Sequence, residues 1–237
     1  MNISSKVKQK IEALPEGAVI TFDDFSELPN KRAVALCLSR LKKEGELERL
    51  EKGKYYIPKK TKFGTLGPSE SSIIQGLLKG DEGSYISGVT AYNKLGLTTQ
   101  VANEITIVGS KYNRKAIVGK IKVKYIKGKA PVNKQNILLL QILDAVNDVK
   151  KIPDTTVSSA IMILKRKIQS LSLYEKQEMI KLSQFYRPYV RAIVGEIFEE
   201  EGIKEVEELR SSMNPLTFFK FNISKEILPL QKKWNLI

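Results

Sequence analysis

Residues 31–57 read KRAVALCLSRLKKEGELERLEKGKYYI, and their spacing decides how the chain begins. Val34, Cys37, Leu38 and Leu41 recur at three- and four-residue steps, which return to one side of a helix; Lys31, Arg32, Ser39, Arg40, Lys42 and Lys43 fall on the other sides. Leu36 also falls on the polar side. Gly45 comes after the last apolar position, where a left-handed residue stops a helix. Leu47–Leu50 and Lys54–Ile57 then read as strands joined by the tight turn Glu51-Lys52-Gly53.

Upstream, Val7, Ile11 and Leu14 predict a first helix over 4–14, ended by Pro15-Glu16-Gly17. Val19–Phe22 reads as a short strand, and Thr21 or Asp23 is placed to cap a helical turn or two before Pro29-Asn30. Helix, short strand, helix, basic helix, hairpin is the order of a winged helix-turn-helix, expected over residues 1–60. Such a recognition helix packs one stripe inward and offers Arg, Lys and small polar groups to base edges and phosphates. The expected DNA contacts are therefore Asn30, Lys31, Arg32, Ser39, Arg40 and Lys43 on the helix, with Lys52 and Lys54 on the wing. A winged helix used only for protein contact is the alternative, because residues 1–60 hold 13 basic groups against 9 acidic ones.

The whole chain carries a formal charge of +14 and a pI near 9.6, a balance that favours polyanionic partners. No apolar run approaches the roughly 18 residues needed to span a bilayer, and the N-terminus lacks a signal-peptide pattern. Cys37 is the only cysteine, so no internal disulfide can form. A cytoplasmic protein is expected.

Lys59-Lys60-Thr61-Lys62 with Gly64 and Gly67-Pro68 reads as a connection, which puts a boundary near residue 60. The remainder, 61–237, divides into a mixed strand-and-helix part (61–130) and a mainly helical part (131–237), so the chain as a whole is expected to be α+β. Ser69–Leu78 reads as a helix, and residues 83–108 as strand, short helix ended by Gly96, loop and strand. Residues 111–134 hold nine Lys or Arg and no acidic group. In Lys120–Tyr125 the lysines alternate with Ile121, Val123 and Tyr125, which puts the two kinds on opposite faces of a strand. Lys111, Arg114, Lys115, Lys120, Lys122 and Lys124 are thus a candidate second polyanion surface; the alternative is an edge strand guarded by lysines. Helices are predicted over Ile137–Val149, Val157–Leu171 and Lys176–Glu200, the last broken or restarted at Arg187-Pro188. Lys165-Arg166-Lys167 and Glu199-Glu200-Glu201 read as solvated clusters, and Phe218, Phe219, Phe221 and Trp234 as packing residues.

The segment Tyr85-Ile86-Ser87-Gly88 with Tyr92-Asn93-Lys94-Leu95-Gly96-Leu97-Thr98-Thr99-Gln100, following such an N-terminus, resembles the AbiEi-like antitoxins of type IV toxin-antitoxin systems. Asn214-Pro215-Leu216-Thr217 and Leu228-Pro229-Leu230-Gln231-Lys232-Lys233-Trp234-Asn235 look like the longer members of that group. The resemblance implies a repressor of its own operon, acting on inverted repeats in double-stranded DNA as a monomer or weak dimer. It also implies a C-terminal domain that counters a nucleotidyltransferase-like toxin without forming a direct complex.

With no histidine in the chain, His-based acid–base chemistry and His-bearing metal sites are excluded. There is no Walker loop or Rossmann fingerprint, and no Gly-Ser turn leads to the paired aspartates of a nucleotidyltransferase. The expectation is a binding protein without cofactor or metal. A metal-dependent nuclease is the remaining enzyme alternative, built on Asp148, Lys150 and Asp154, but Pro153-Asp154 follows Asp148-Val149-Lys150 in the wrong order for it.

Overall fold

In the computed structural model, which describes residues 2–62, 64–109, 113–118 and 121–237, the apolar stripe of residues 34–41 is the centre of an N-terminal core. The chain runs α1 (Ile3–Glu12), β1 (Val19–Thr21), a 3-10 turn (Phe22–Phe25), α2 (Lys31–Lys43), β2 (Glu48–Glu51) and β3 (Lys54–Tyr56). Val7 and Ile11 of α1 meet Val34, Cys37, Leu38 and Leu41 of α2 over Ile20, Phe25, Leu28 and Leu47. The local signals act as expected. The Asp24 carboxylate accepts the Thr21 N–H at 2.8 Å, closing the 3-10 turn, and Asn30 Oδ1 accepts the Ala33 N–H at 3.0 Å, capping α2. Gly45 takes φ +75° just past the end of α2. The strands form an antiparallel sheet of order β1-β3-β2, with Gly53 at φ +80° in the hairpin turn.

This first compact unit does not stop near residue 60; it comprises residues 1–82 with 115–123. The hairpin β4 (Lys59–Thr61) and β5 (Gly64–Leu66) leads to α3 (Glu70–Leu78), which packs on β1. Gly76 permits that approach, since a Cβ there would lie 2.2 Å from Val19 Cγ1. Lys79 on the far end of α3 pairs with Asp24. What reads as a linker and a new helix is thus held to the first core.

The second unit comprises residues 83–114 and 124–237. After β6 (Tyr85–Ser87) come α4 (Gly88–Lys94), β7 (Glu104–Gly109), β8 (Arg114–Val118) and β9 (Ile121–Lys127), in a sheet of order β6-β7-β9-β8. Val123 and Tyr125 are buried while Lys122 and Lys124 are exposed, as the alternation predicts. However, β9 is an inner strand, so the lysine-guarded edge does not describe it. Lys111, Tyr112 and Lys120 lie outside the described residues.

Helices α5 (Ile137–Asn147), α6 (Val157–Gln169), α7 (Leu173–Ser183), α8 (Pro188–Glu200) and α9 (Glu207–Ser211) follow. Pro188 begins α8, where the missing N–H costs nothing, and this splits the third expected helix in two. Leu143, Val146, Ile161, Leu164, Ile193, Ile197 and Phe198 centre the core, and Trp234 closes it. The Trp234 ring sits on Gly195, where a Cβ would be 2.2 Å from the indole, and its Nε1 donates to Glu199 at 2.8 Å. The acidic run is therefore not simply solvated. Glu199 also pairs with Lys233, Glu200 with Lys165, and Glu201 with Lys176. Lys165 in turn leaves the solvated cluster assigned to it, donating to the Ile227 carbonyl at 2.6 Å.

Glu196 on α8 is fully buried. One carboxyl oxygen accepts the Leu230 N–H at 2.9 Å, and the other has no hydrogen-bond partner among the described residues. Burial pushes this carboxyl up from 4.5 to about 7, although the Leu230 N–H and Lys165 pull it down. Between those two values the folded chain holds a proton that the unfolded chain has released, so this group's contribution to stability falls as pH rises from 4.5 through 7. Urea denaturation across that window is expected to show a flatter stability profile for Glu196→Gln than for the wild type; matching slopes would refute the assignment.

Candidate functional site

The outward side of α2 is the first chemically distinctive surface. At 3.6 residues per turn, Arg32, Leu36, Ser39 and Lys43 form a ridge opposite Val34 and Leu41, with Arg40 beside it, and all five are exposed. Leu36, at 56% exposure, is an apolar group set between cations, so the helical phase read from the sequence is right. Lys31 and Lys42 are exposed on the flank of the same helix, which bears five basic residues and no acidic one.

The near balance of charge over residues 1–60 hides a separation. Glu44 and Glu46 pair with Lys8, Glu27 with Lys10, Asp24 with Lys79, and Glu51 with Lys54. Glu48 accepts the Tyr56 hydroxyl, which burial and that carboxylate push up to about 12. The acids thus engage cations away from α2. Lys31, Arg32, Arg40, Lys42, Lys43 and the exposed hairpin residue Lys52 have no ion pair among the described residues.

Two expected contacts need correction. Lys54 is not a free wing lysine: its Nζ donates to the Leu77 carbonyl at 2.5 Å and pairs with Glu51 at 3.6 Å, which ties β3 to α3. Asn30 stays at the start of α2, but its side-chain oxygen is engaged by the helix cap, leaving only its amide N–H groups to offer.

The second distinctive cluster is one that composition and spacing did not single out. Asp144, in the apolar run of α5, is 4% exposed. One carboxylate oxygen accepts the Tyr85 hydroxyl at 2.9 Å and Ser87 Oγ at 2.8 Å; the other accepts Lys129 Nζ and the Tyr186 hydroxyl, both at 3.0 Å. Tyr92 donates to the Asp144 carbonyl at 3.2 Å and to Asp148 at 2.8 Å. Burial first, and the neighbouring carboxylates second, push the Tyr85, Tyr92 and Tyr186 hydroxyls well above the usual tyrosine range, so they remain donors. A saturated carboxylate of this kind holds structure together. The available signal was a lone acid amid Leu139, Leu140, Ile142, Leu143, Ala145 and Val146.

The second basic surface is only partly assembled. Lys115, Lys122 and Lys124 are exposed. The Arg114 guanidinium lies 3.9 Å from the centre of the Tyr125 ring, so Tyr125 is buried and covered rather than presented for stacking. Asp148, proposed for a nuclease, accepts bonds from Tyr92 and from Asn147 at 2.9 Å. Among the described residues no group of three or more Cys, Asp or Glu is placed to hold a metal ion, and no helix is long and apolar enough to cross a membrane.

These features define an α+β protein of two compact units, one bearing a cation-faced helix and the other organised on a buried carboxylate. The chain belongs to the family described as "Family of unknown function (DUF6088)", which matches residues 6–180. Among solved structures it is similar to the crystal structure of RV2827C protein from Mycobacterium tuberculosis, with 14% identity and a TM-score of 0.49 over 93% of this chain and 85% of that one. No curated protein matches it.

Removing the carboxylate should expose its importance. Asp144→Ala leaves three buried hydroxyls and Lys129 without an acceptor and is expected to cost about 3–5 kcal/mol in chemical denaturation. A loss under about 1 kcal/mol would show that the cluster does not hold the second unit together.

Proposed function

We propose that residues 1–60 are a winged helix-turn-helix and that the chain is a DNA-binding transcriptional repressor reading its operator with α2. The observation that carries this reading is the charge separation in the first unit. Its carboxylates pair with Lys8, Lys10, Lys54 and Lys79, while α2 and Lys52 keep their cations available. The order of α1, β1, the 3-10 turn, α2 and the β2–β3 hairpin supports it. In this reading Lys31, Lys43 and Lys52 contact phosphates, Arg32, Ser39 and Arg40 meet base edges, and Leu36 suits a thymine methyl.

The resemblance of residues 83–108 to AbiEi-like antitoxins extends the proposal to a cytoplasmic autorepressor that counters a nucleotidyltransferase-like toxin without binding it. A neighbouring reading frame for such a toxin supports that extension, and the DNA-binding proposal stands without it. Fluorescence anisotropy on the DNA upstream of the chain's own gene tests the core claim. Arg32→Ala with Lys43→Ala should weaken binding at least about tenfold and reduce the slope of log K against log salt by about 1–2. Unchanged affinity would remove α2 from the interface. Lys54→Ala should leave the salt slope as it was.

A further inference from the structure

Within the second unit, the end of α5 with the turn after it, the start of α8 and the segment 218–221 enclose a cavity of about 380 Å³. Its walls are aromatic. Tyr189 meets Phe219 edge-on at 6.3 Å and Phe221 at 5.6 Å, and Phe218 stands at the cavity with 58% of its surface exposed. Its remaining lining is cationic, from Lys150, Lys151, Arg187 and Lys220, and no carboxylate joins them.

The walls are held in place. Phe219 N–H donates to the Asn235 carbonyl at 2.8 Å, Ile237 N–H to the Phe219 carbonyl at 2.9 Å, and the Tyr189 hydroxyl to the Asn147 carbonyl at 2.6 Å. Lys150 acts as a buttress, 4.3 Å from the Phe221 ring centre with its Nζ on the Lys220 carbonyl. Lys151, Arg187 and Lys220 are exposed and without an ion pair among the described residues. Arg187 is also the N-cap of α8, which has no side-chain cap, so the positive end of that 13-residue helix adds to the three cations.

An exposed ring among cations with no counter-charge is unfavourable in the empty site on two counts, and a ligand that relieves both must be planar and anionic. An inorganic anion would leave Phe218 in water, and an uncharged aromatic would leave the cations unpaired. We infer that this cavity binds a nucleoside phosphate, its base stacked on Phe218 and its phosphate taken by Arg187 with Lys151 and Lys220. The volume lies in the range of small-molecule sites, about 300–1,000 Å³. The source is a free nucleotide or an unpaired nucleotide of a strand, and the inference does not depend on the role of α2.

Isothermal titration of the full chain with nucleoside 5′-phosphates, the matching nucleosides, inorganic phosphate and a short 5′-phosphorylated oligothymidylate tests it. The Arg32→Ala/Lys43→Ala protein is titrated in parallel, so that a failed α2 assignment cannot pass for a failed pocket. Nucleotides should bind at least about tenfold tighter than nucleoside or phosphate in both proteins. Phe218→Ala should weaken binding by about 5- to 100-fold and Arg187→Ala by about tenfold, with thermal midpoints unchanged because both side chains are exposed. Binding of free nucleotides identifies a soluble ligand; binding of the oligonucleotide alone, sensitive to the same two substitutions, identifies a strand. Absence of binding by every probe would overturn the inference. So would phosphate binding as tightly as nucleotide, or an affinity that Phe218→Ala leaves intact.

Discussion

A carboxylate buried in an apolar helix must be given donors or the helix cannot pack, and Asp144 imposes that condition on the whole second unit. Its four donors come from β6, from the segment after β9 and from the turn before α8. Gln141, on the same helix, donates to the Ile86 carbonyl at 2.8 Å and repeats the tie to β6. Once Tyr186 is anchored, Arg187 and Pro188 follow directly, so the position of α8 descends from the same interaction. The tyrosines of the segment that looks antitoxin-like therefore have a physical task, which is to satisfy one acid.

The first unit is organised by separation of charge rather than by its burial. Its acids are held by lysines on α1, β3 and after α3, and the outward face of α2 is left with cations around a single exposed leucine. Near-neutral composition over a segment thus says little about the field at any one face. Two lysines two residues apart in the hairpin illustrate this: Lys52 faces solvent, while Lys54 is engaged by Glu51 and a carbonyl of α3.

Local signals in the sequence were enough for the helices and for the buried stripe of α2, because capping residues, glycines and apolar spacing act within a turn or two. Asn30, Gly45, Gly96 and Pro188 each end or begin an element where their chemistry requires it. What sequence could not supply was long-range pairing. The attachment of α3 through Gly76 and Val19 joins residues far apart, and so do Lys54 with Leu77 and Asp144 with Tyr85 and Tyr186. Nothing in the local pattern at Phe218 distinguishes a packed ring from an exposed one; the C-terminal backbone pairing at Phe219 decides it.

Trp234 is the chain's only tryptophan, and it sits against Gly195 with its indole N–H on Glu199. Its emission is therefore an optical gauge of one seam, where the C-terminal segment closes over α8. The first unit contains no indole, so its opening leaves that signal dark. Far-ultraviolet dichroism, by contrast, registers the helices of both units, and a gap between the two traces during melting would reveal which unit lets go first.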